Sequence, residues 1–358
     1  MQETIDQQHS IEIIAAKNVN KSCLPGRGLP RCASRSSPRS VTMRPRPARP
    51  VWPQLASLAA CVCWVGAFRF LLLEHASSRL PGAPAAAGRA LREAGGRAET
   101  VRVGDRSFLL WAPEDARNAD ALVVFVHGFT GRPHMWASVA QRVAARGWVA
   151  AAPFGLDASW NGHQCCGPSL AAGVDDVGFL RTVVDAVRRR ATFRKVFGLG
   201  FSNGGFLVSA AAQVPGLFDA VAPFGGHTYE VLANATPTPI FLSHGARDGV
   251  VRPGGCCAGA RCCCGIDDAW GRECRPVQRV FDLWRSANRC GRGVANVRDD
   301  ARVTCATGLG CLANTTLCVH HALAHEVPGL HHRRRPGADP GEGGVTVDDA
   351  LAFFGAHV

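Results

Sequence analysis

No part of this 358-residue chain repeats at a fixed interval, which sets aside solenoids, propellers and other repeat architectures. It contains no RNA- or DNA-reading motif, so its formal net charge of +12 does not by itself point to nucleic acid, and none is an expected partner. Lysine is nearly missing: there are only three, and Lys17 and Lys21 fall within the first 42 residues. The 16 cysteines include no C-x-x-C pair matched by a distant C-x-x-C or by histidines, which excludes a zinc ribbon or finger. A chain disordered throughout is excluded as well, because an apolar share of 47% suits a globular protein long enough for one large domain with extra segments.

What is present is unevenly spread. Residues 1–42 hold Lys17, Lys21, Ile5, Ile11, Ile13 and Ile14 and differ in composition from the Arg- and Ala-rich remainder, so they read as an atypical, disordered leader. Residues 43–73 have the layout of a signal peptide or signal anchor: a basic stretch from Met43 to Pro50, then an apolar one broken by Arg69. The basic flank stays cytoplasmic and everything beyond Leu73 is exported, so a membrane enters only through a possible anchor at 51–73. Residues 74–98, rich in Ala, Gly and Pro, form a linker, and the folded domain spans 99–358. In an exported chain the cysteines are expected to pair, including those of a Cys-rich insertion at 252–275; thiolate–metal binding is the competing use of that insertion. The sequons at Asn234 and Asn314 fit export as glycosylation sites.

Strand and helix patterns alternate through the folded domain. Val101–Trp111 reads as a hairpin, and Leu122–Val126 is a fully apolar run of the kind that forms a buried parallel strand. A helix is predicted over His134–Arg146, a strand over Trp148–Pro153, and an amphipathic helix over Val174–Arg190. Further strands are predicted at Ala220–Phe224, Ile240–Leu242 and Leu317–Leu323, with helices at Pro276–Ala287 and Val347–His357. This succession implies an α/β fold, a mostly parallel doubly wound sheet with helices on both faces.

The most informative stretch is Lys195–Gly205, an apolar strand running into Gly200-Phe201-Ser202-Asn203-Gly204 and then a helix. A nucleophilic serine on so sharp a turn needs small residues two positions to either side, where strand and helix come too close for a Cβ. Its hydroxyl needs a base, and the base a carboxylate. On such a sheet the acid follows a later strand and the histidine the last one. Asp248 directly follows Ile240–Leu242, its other reading being a turn residue before Gly249. Among His320, His321, His325, His331 and His332, only His325 lies just past the last predicted strand and before the basic run. The backbone amides of Phe129 and Asn203 are the natural oxyanion pair. His127 is a structural or substrate-pocket residue, Trp160 a pocket wall or core, and Asp175 and Asp176 helix-start residues. The chemistry needs no cofactor and no metal.

Taken in order, His127-Gly128, Ser159-Trp160-Asn161 with Cys165-Cys166-Gly167, Val174–Leu180, the Gly200–Gly205 elbow, His244-Gly245 with Asp248 and Val250-Val251, and His325 with Pro328-Gly329 resemble the feruloyl esterase / polyhydroxybutyrate depolymerase group of secreted α/β-hydrolases. The resemblance runs from Glu99 to the C-terminus. It implies the triad Ser202, Asp248 and His325, and a disulfide between Cys290 and Cys311. It also implies a secreted serine esterase acting on feruloyl or similar esters of polysaccharide, with polyhydroxybutyrate depolymerase and acetylxylan esterase as alternatives. A peptidase or thioesterase on the same scaffold, and a catalytically inactive membrane-tethered binding module, are the rival functions. The chain departs from the family pattern at Gly249, where proline is usual, and at Leu323–Gly329, where a Gly-Gly-His-x-Trp-Pro-Gly run is usual.

Overall fold

The computed structural model describes residues 98–228, 230–255, 275–330 and 346–358. The leader, the signal or anchor segment, the linker up to residue 97, the cysteines of the insertion from 256 to 274, and His331 and His332 lie outside the described residues. In chain order the elements are strands β1 (Glu99–Val103), β2 (Arg106–Trp111) and β3 (Ala121–Val126), helix α1 (Ala137–Ala145), β4 (Val149–Pro153), α2 (Asp176–Arg188), β5 (Lys195–Phe201) and α3 (Asn203–Ala211). There follow β6 (Ala220–Phe224), β7 (Ile240–Gly245), α4 (Val277–Ala287), β8 (Val294–Asp299), β9 (Val303–Gly308), β10 (Thr315–His320) and α5 (Val347–Gly355).

The strands form one ten-stranded sheet in the order β1-β2-β4-β3-β5-β6-β7-β10-β9-β8. The central run from β4 to β10 is parallel, whereas the β1–β2 hairpin on one flank and β8 and β9 on the other are antiparallel. Both faces are apolar because successive side chains of a buried strand point opposite ways. In β3, Leu122, Val124 and Val126 join the core beneath Leu180 and Val184 of α2, Phe206 of α3 and Trp284 of α4. Ala121, Val123 and Phe125 join the other core, with Val139 and Val143 of α1 and Leu351 and Phe354 of α5. This is the α/β-hydrolase fold. From β3 the chain winds outward to β4 and then returns to β5 on the opposite side, which opens a crevice at the carboxyl ends of β3 and β5.

Several expectations shift. Helix α2 begins at Asp176 rather than Val174, because the Asp175 side chain accepts the Gly178 N–H at 2.8 Å and caps it. The last strand ends at His320, so His321 lies outside it. Strands β8 and β9 were not anticipated. β8 is an edge strand with a register irregularity between Asn296 and Arg298 and no apolar face, which leaves no period-two signal. Disulfides join Cys290 to Cys311, Cys305 of β9 to Cys318 of β10, and Cys165 to Cys166. The first is the pairing implied by the family resemblance. Among the described residues no helix is long and apolar enough to cross a membrane.

Candidate active site

Strand β5 ends in a backbone that only a tightly packed turn can hold. Ser202 sits at φ 53° and ψ −121°, in the left-handed region, with its N–H bonded to Phe224 O at 2.8 Å. A Cβ on Gly200 would overlap the carbonyl oxygen of Gly204, and one on Gly204 would overlap that of Val126. The glycines flanking the serine are therefore required by contact, as the motif predicts. The turn puts the Ser202 side chain at the N-terminus of α3 and within reach of loops from three other strands.

The loop after β10 brings in His325, whose Nε2 lies 2.9 Å from Ser202 Oγ and whose Nδ1 lies 2.7 Å from Asp248 Oδ2. A carboxylate only accepts, so Nδ1 carries the proton; Nε2 then accepts from the serine hydroxyl. Asp248, buried after β7, is held through its other oxygen, which accepts the N–H groups of Val250 and Val251 at 2.8 Å each. It is thus both a turn residue and the partner of His325; the two readings of Asp248 are compatible. The Phe201 ring lies against His325, with centroids 4.8 Å apart.

The other histidines are turned to different uses. His320 Nε2 is 3.0 Å from Ser243 Oγ, and burial pushes its pKa down to about 4. His321 lies beside Thr304 Oγ1 and the Ala301 carbonyl. His244 donates from Nε2 to Val251 O at 2.7 Å, 3.5 Å from Asp248 Oδ2, and burial lowers its pKa.

For His127 and Trp160, each open to a structural or a substrate-facing reading, the structure shows contacts of the structural kind. His127 is 1% exposed; Nδ1 donates to Gly128 O at 2.8 Å and Nε2 accepts the Gly155 N–H at 3.1 Å, so neither nitrogen is left for a ligand. Burial lowers its pKa to about 4 and keeps the ring neutral. Trp160 is fully buried, its indole N–H donating to His127 O at 2.9 Å. Both are braces rather than pocket walls, because their polar atoms are spent on backbone.

The loop after β3 passes against Ser202: a Cβ built on Gly128 would lie 3.3 Å from Ser202 Cβ. Phe129 is the next residue of this loop after Gly128, and Asn203 is the first residue of α3. Asp176 is structural. Buried, it accepts the Asn161 N–H at 2.7 Å and pairs with Arg106 at 2.7 Å, with burial raising its pKa against those bonds. The amides of Val250 and Val251 and the side chain of Asn203 are site components that the sequence reading passed over. The first act through backbone, and the second has a side-chain role that no motif signals. Asn234 and Asn314 are exposed. Among the described residues no group of three or more His, Cys, Asp or Glu is placed to hold a metal ion.

No family model matches the chain, and no curated protein matches it. Among solved structures it is similar to an acetyl xylan esterase from Aspergillus awamori, at 12% identity over 72% of this chain and 98% of that one, with a TM-score of 0.46. It is similar to a putative dienelactone hydrolase from Klebsiella pneumoniae at 16% identity, over 72% and 98% of the two chains, TM-score 0.45. A propionate-bound esterase from Thermogutta terrifontis matches at 15% identity, over 73% and 94%, TM-score 0.46.

Proposed function

We propose that the protein is a serine ester hydrolase working by two-step acyl transfer. One observation carries this reading: the unbroken chain from Ser202 Oγ through His325 to Asp248, with links of 2.9 and 2.7 Å, at a strained strand-to-helix turn. Ser202 attacks the ester carbonyl as His325 takes its proton, and Asp248 holds the imidazole in the tautomer that can receive it. The Phe129 and Asn203 amides and the N-terminus of α3 stabilise the oxyanion. His325 returns the proton to the departing alcohol, then activates the water that frees the acid.

Hydroxycinnamoyl esters on polysaccharide are the proposed substrates, on the strength of the ordered motifs shared with the feruloyl esterase and polyhydroxybutyrate depolymerase group. Acetyl esters and short polyhydroxyalkanoates come next. Secretion is proposed from the signal-like segment at 43–73 and is supported by the three disulfides among the described residues. The test is labelling with a fluorophosphonate, with Ser202→Ala as control. Labelling of the wild type that disappears in the control is expected; no labelling of correctly folded wild type would discard the hydrolase reading and favour a silent binding module. Methyl ferulate, p-nitrophenyl acetate, amide and thioester substrates assayed side by side then separate the acyl classes.

A further inference from the structure

The two proposed oxyanion donors belong to separate segments, Phe129 after β3 and Asn203 at the start of α3. Two amides stabilise one oxygen only if their spacing is held. The segment 155–167 touches both. Its grip on Asn203 runs through the side chain: Oδ1 accepts the Trp160 N–H at 2.7 Å, and Nδ2 donates to Trp160 O at 2.9 Å and to Cys165 O at 2.7 Å. These bonds are buried, and Asn203 is 0% exposed.

The same segment grips the other donor's loop at four points. Trp160 Nε1–H donates to His127 O at 2.9 Å, the Gly155 N–H to His127 Nε2 at 3.1 Å, and the Thr130 N–H to Ala158 O at 2.8 Å. Gly167, at φ 89°, packs against the Phe129 ring, so that a Cβ there would overlap Cε2. Among the described residues, five of the six non-glycine residues with positive φ belong to these parts: Thr130, Asp157, Ala158, His163 and Ser202. Such conformations persist only where surrounding contacts over-determine them.

We infer that segment 155–167 is a clamp that fixes the spacing of the Phe129 and Asn203 amides, with the Asn203 side chain as the positioning residue that bolts the nucleophile's helix to it. The inference rests on the proposal that Ser202 is the nucleophile. A primary amide suits the task because it accepts and donates at once. Alanine makes none of the three bonds, and aspartate has no hydrogen to offer the two carbonyls. Loss of the bolt lets one donor drift from the oxyanion, which acts on the transition state and not on the bound ester.

Two variants test this: Asn203→Ala, which removes the bolt, and Trp160→Phe, which keeps most of the ring and deletes only the bond to His127 O. Steady-state kinetics on p-nitrophenyl acetate are paired with affinity for a phenylboronic acid. That compound forms a Ser202 Oγ–B bond and a tetrahedral boronate anion while the hydroxyl proton passes to His325. For Asn203→Ala we expect kcat to fall by about thirtyfold or more with KM within about twofold, and boronate affinity to weaken in parallel, since losing one whole oxyanion donor costs about 10²–10³ in kcat. Trp160→Phe is expected to lower kcat by about three- to tenfold with the same KM pattern. If Asn203→Ala does not fold, Trp160→Phe decides. A folded variant with unchanged kcat, or one that loses KM in place of kcat and boronate affinity, overturns the clamp. Ser202-dependent fluorophosphonate labelling of the wild type stays intact in that case, whereas its absence overturns the hydrolase reading itself.

Discussion

The loop after β3 and the loop after β10 reach Ser202 from opposite sides of β5, and each carries a histidine pinned through both ring nitrogens. In the first, His127 is tied to two backbone groups and sealed, with its pKa lowered to about 4 by burial. In the second, the side chain of His325 is 17% exposed and is tied to a carboxylate on one nitrogen, while the other faces a hydroxyl. The same side chain is thus a brace in one place and, in the proposed mechanism, a base in the other. What separates them is the setting: a carboxylate stands behind the partly exposed ring of His325, whereas burial penalises the charged form of His127 even though its bond to Gly128 O favours it.

The comparison is sharpest in activity. Asp248→Asn leaves the geometry in place but removes the carboxylate, and kcat is expected to fall by about four orders of magnitude. His127→Leu is expected to leave kcat far closer to wild type while lowering stability by about 1–3 kcal/mol, the cost of a buried amide at Gly155 left without its acceptor. Equal losses of kcat in the two variants would break the distinction.

A further effect should appear in acid. His127 and His320 have pKa values lowered to about 4 from 6.5, chiefly by burial, and burial also lowers those of His227 and His244. As pH falls through about 6.5 the unfolded chain binds protons that the folded one refuses until about pH 4. Stability is therefore full above that upper bound and declines as pH falls towards the lower one, by about 1.4 kcal/mol per pH unit for each such histidine. Urea unfolding at about pH 7 and about pH 5 checks this, and an unchanged midpoint would contradict it. The smallest effect belongs to His321, whose ring nitrogens lie beside Thr304 Oγ1 and the exposed Ala301 carbonyl. His321→Ala should leave stability within about 0.5 kcal/mol and kcat within about twofold.

The parts of the fold that were legible in sequence are those with a single physical cause. The apolar run of β3 follows from burial on both faces, and the glycines at 200 and 204 from the closeness of strand and helix. Asp248 and His325 are found by chain order alone, because the sheet brings the ends of β7 and β10 to the end of β5. Strands β8 and β9 escaped because β8 has no buried face and its neighbour mixes Thr, Cys and Ala among turn residues. For His127 and Trp160 the sequence leaves a structural and a substrate-facing reading open, and the structure ties the polar atoms of both to backbone. Residue type and position say that a ring lies near the serine, but its direction depends on Gly155, which comes 28 residues after His127.

Around the serine, space itself is unevenly distributed. Gly200 and Gly204 admit no additional atom, whereas a Cβ at Gly249, next to Asp248, meets nothing within 4 Å, and its neighbour Arg247 and the nearby Glu326 are exposed. Positions that set the reaction and positions that form the surface around it do not compete for volume. On the proposed function, a substitution at 247, 249 or 326 alters what an arriving ester meets without displacing the turn that holds Ser202. Under the proposed function, substitutions at these positions are expected to change substrate preference while the chain from Ser202 through His325 to Asp248 stays in place.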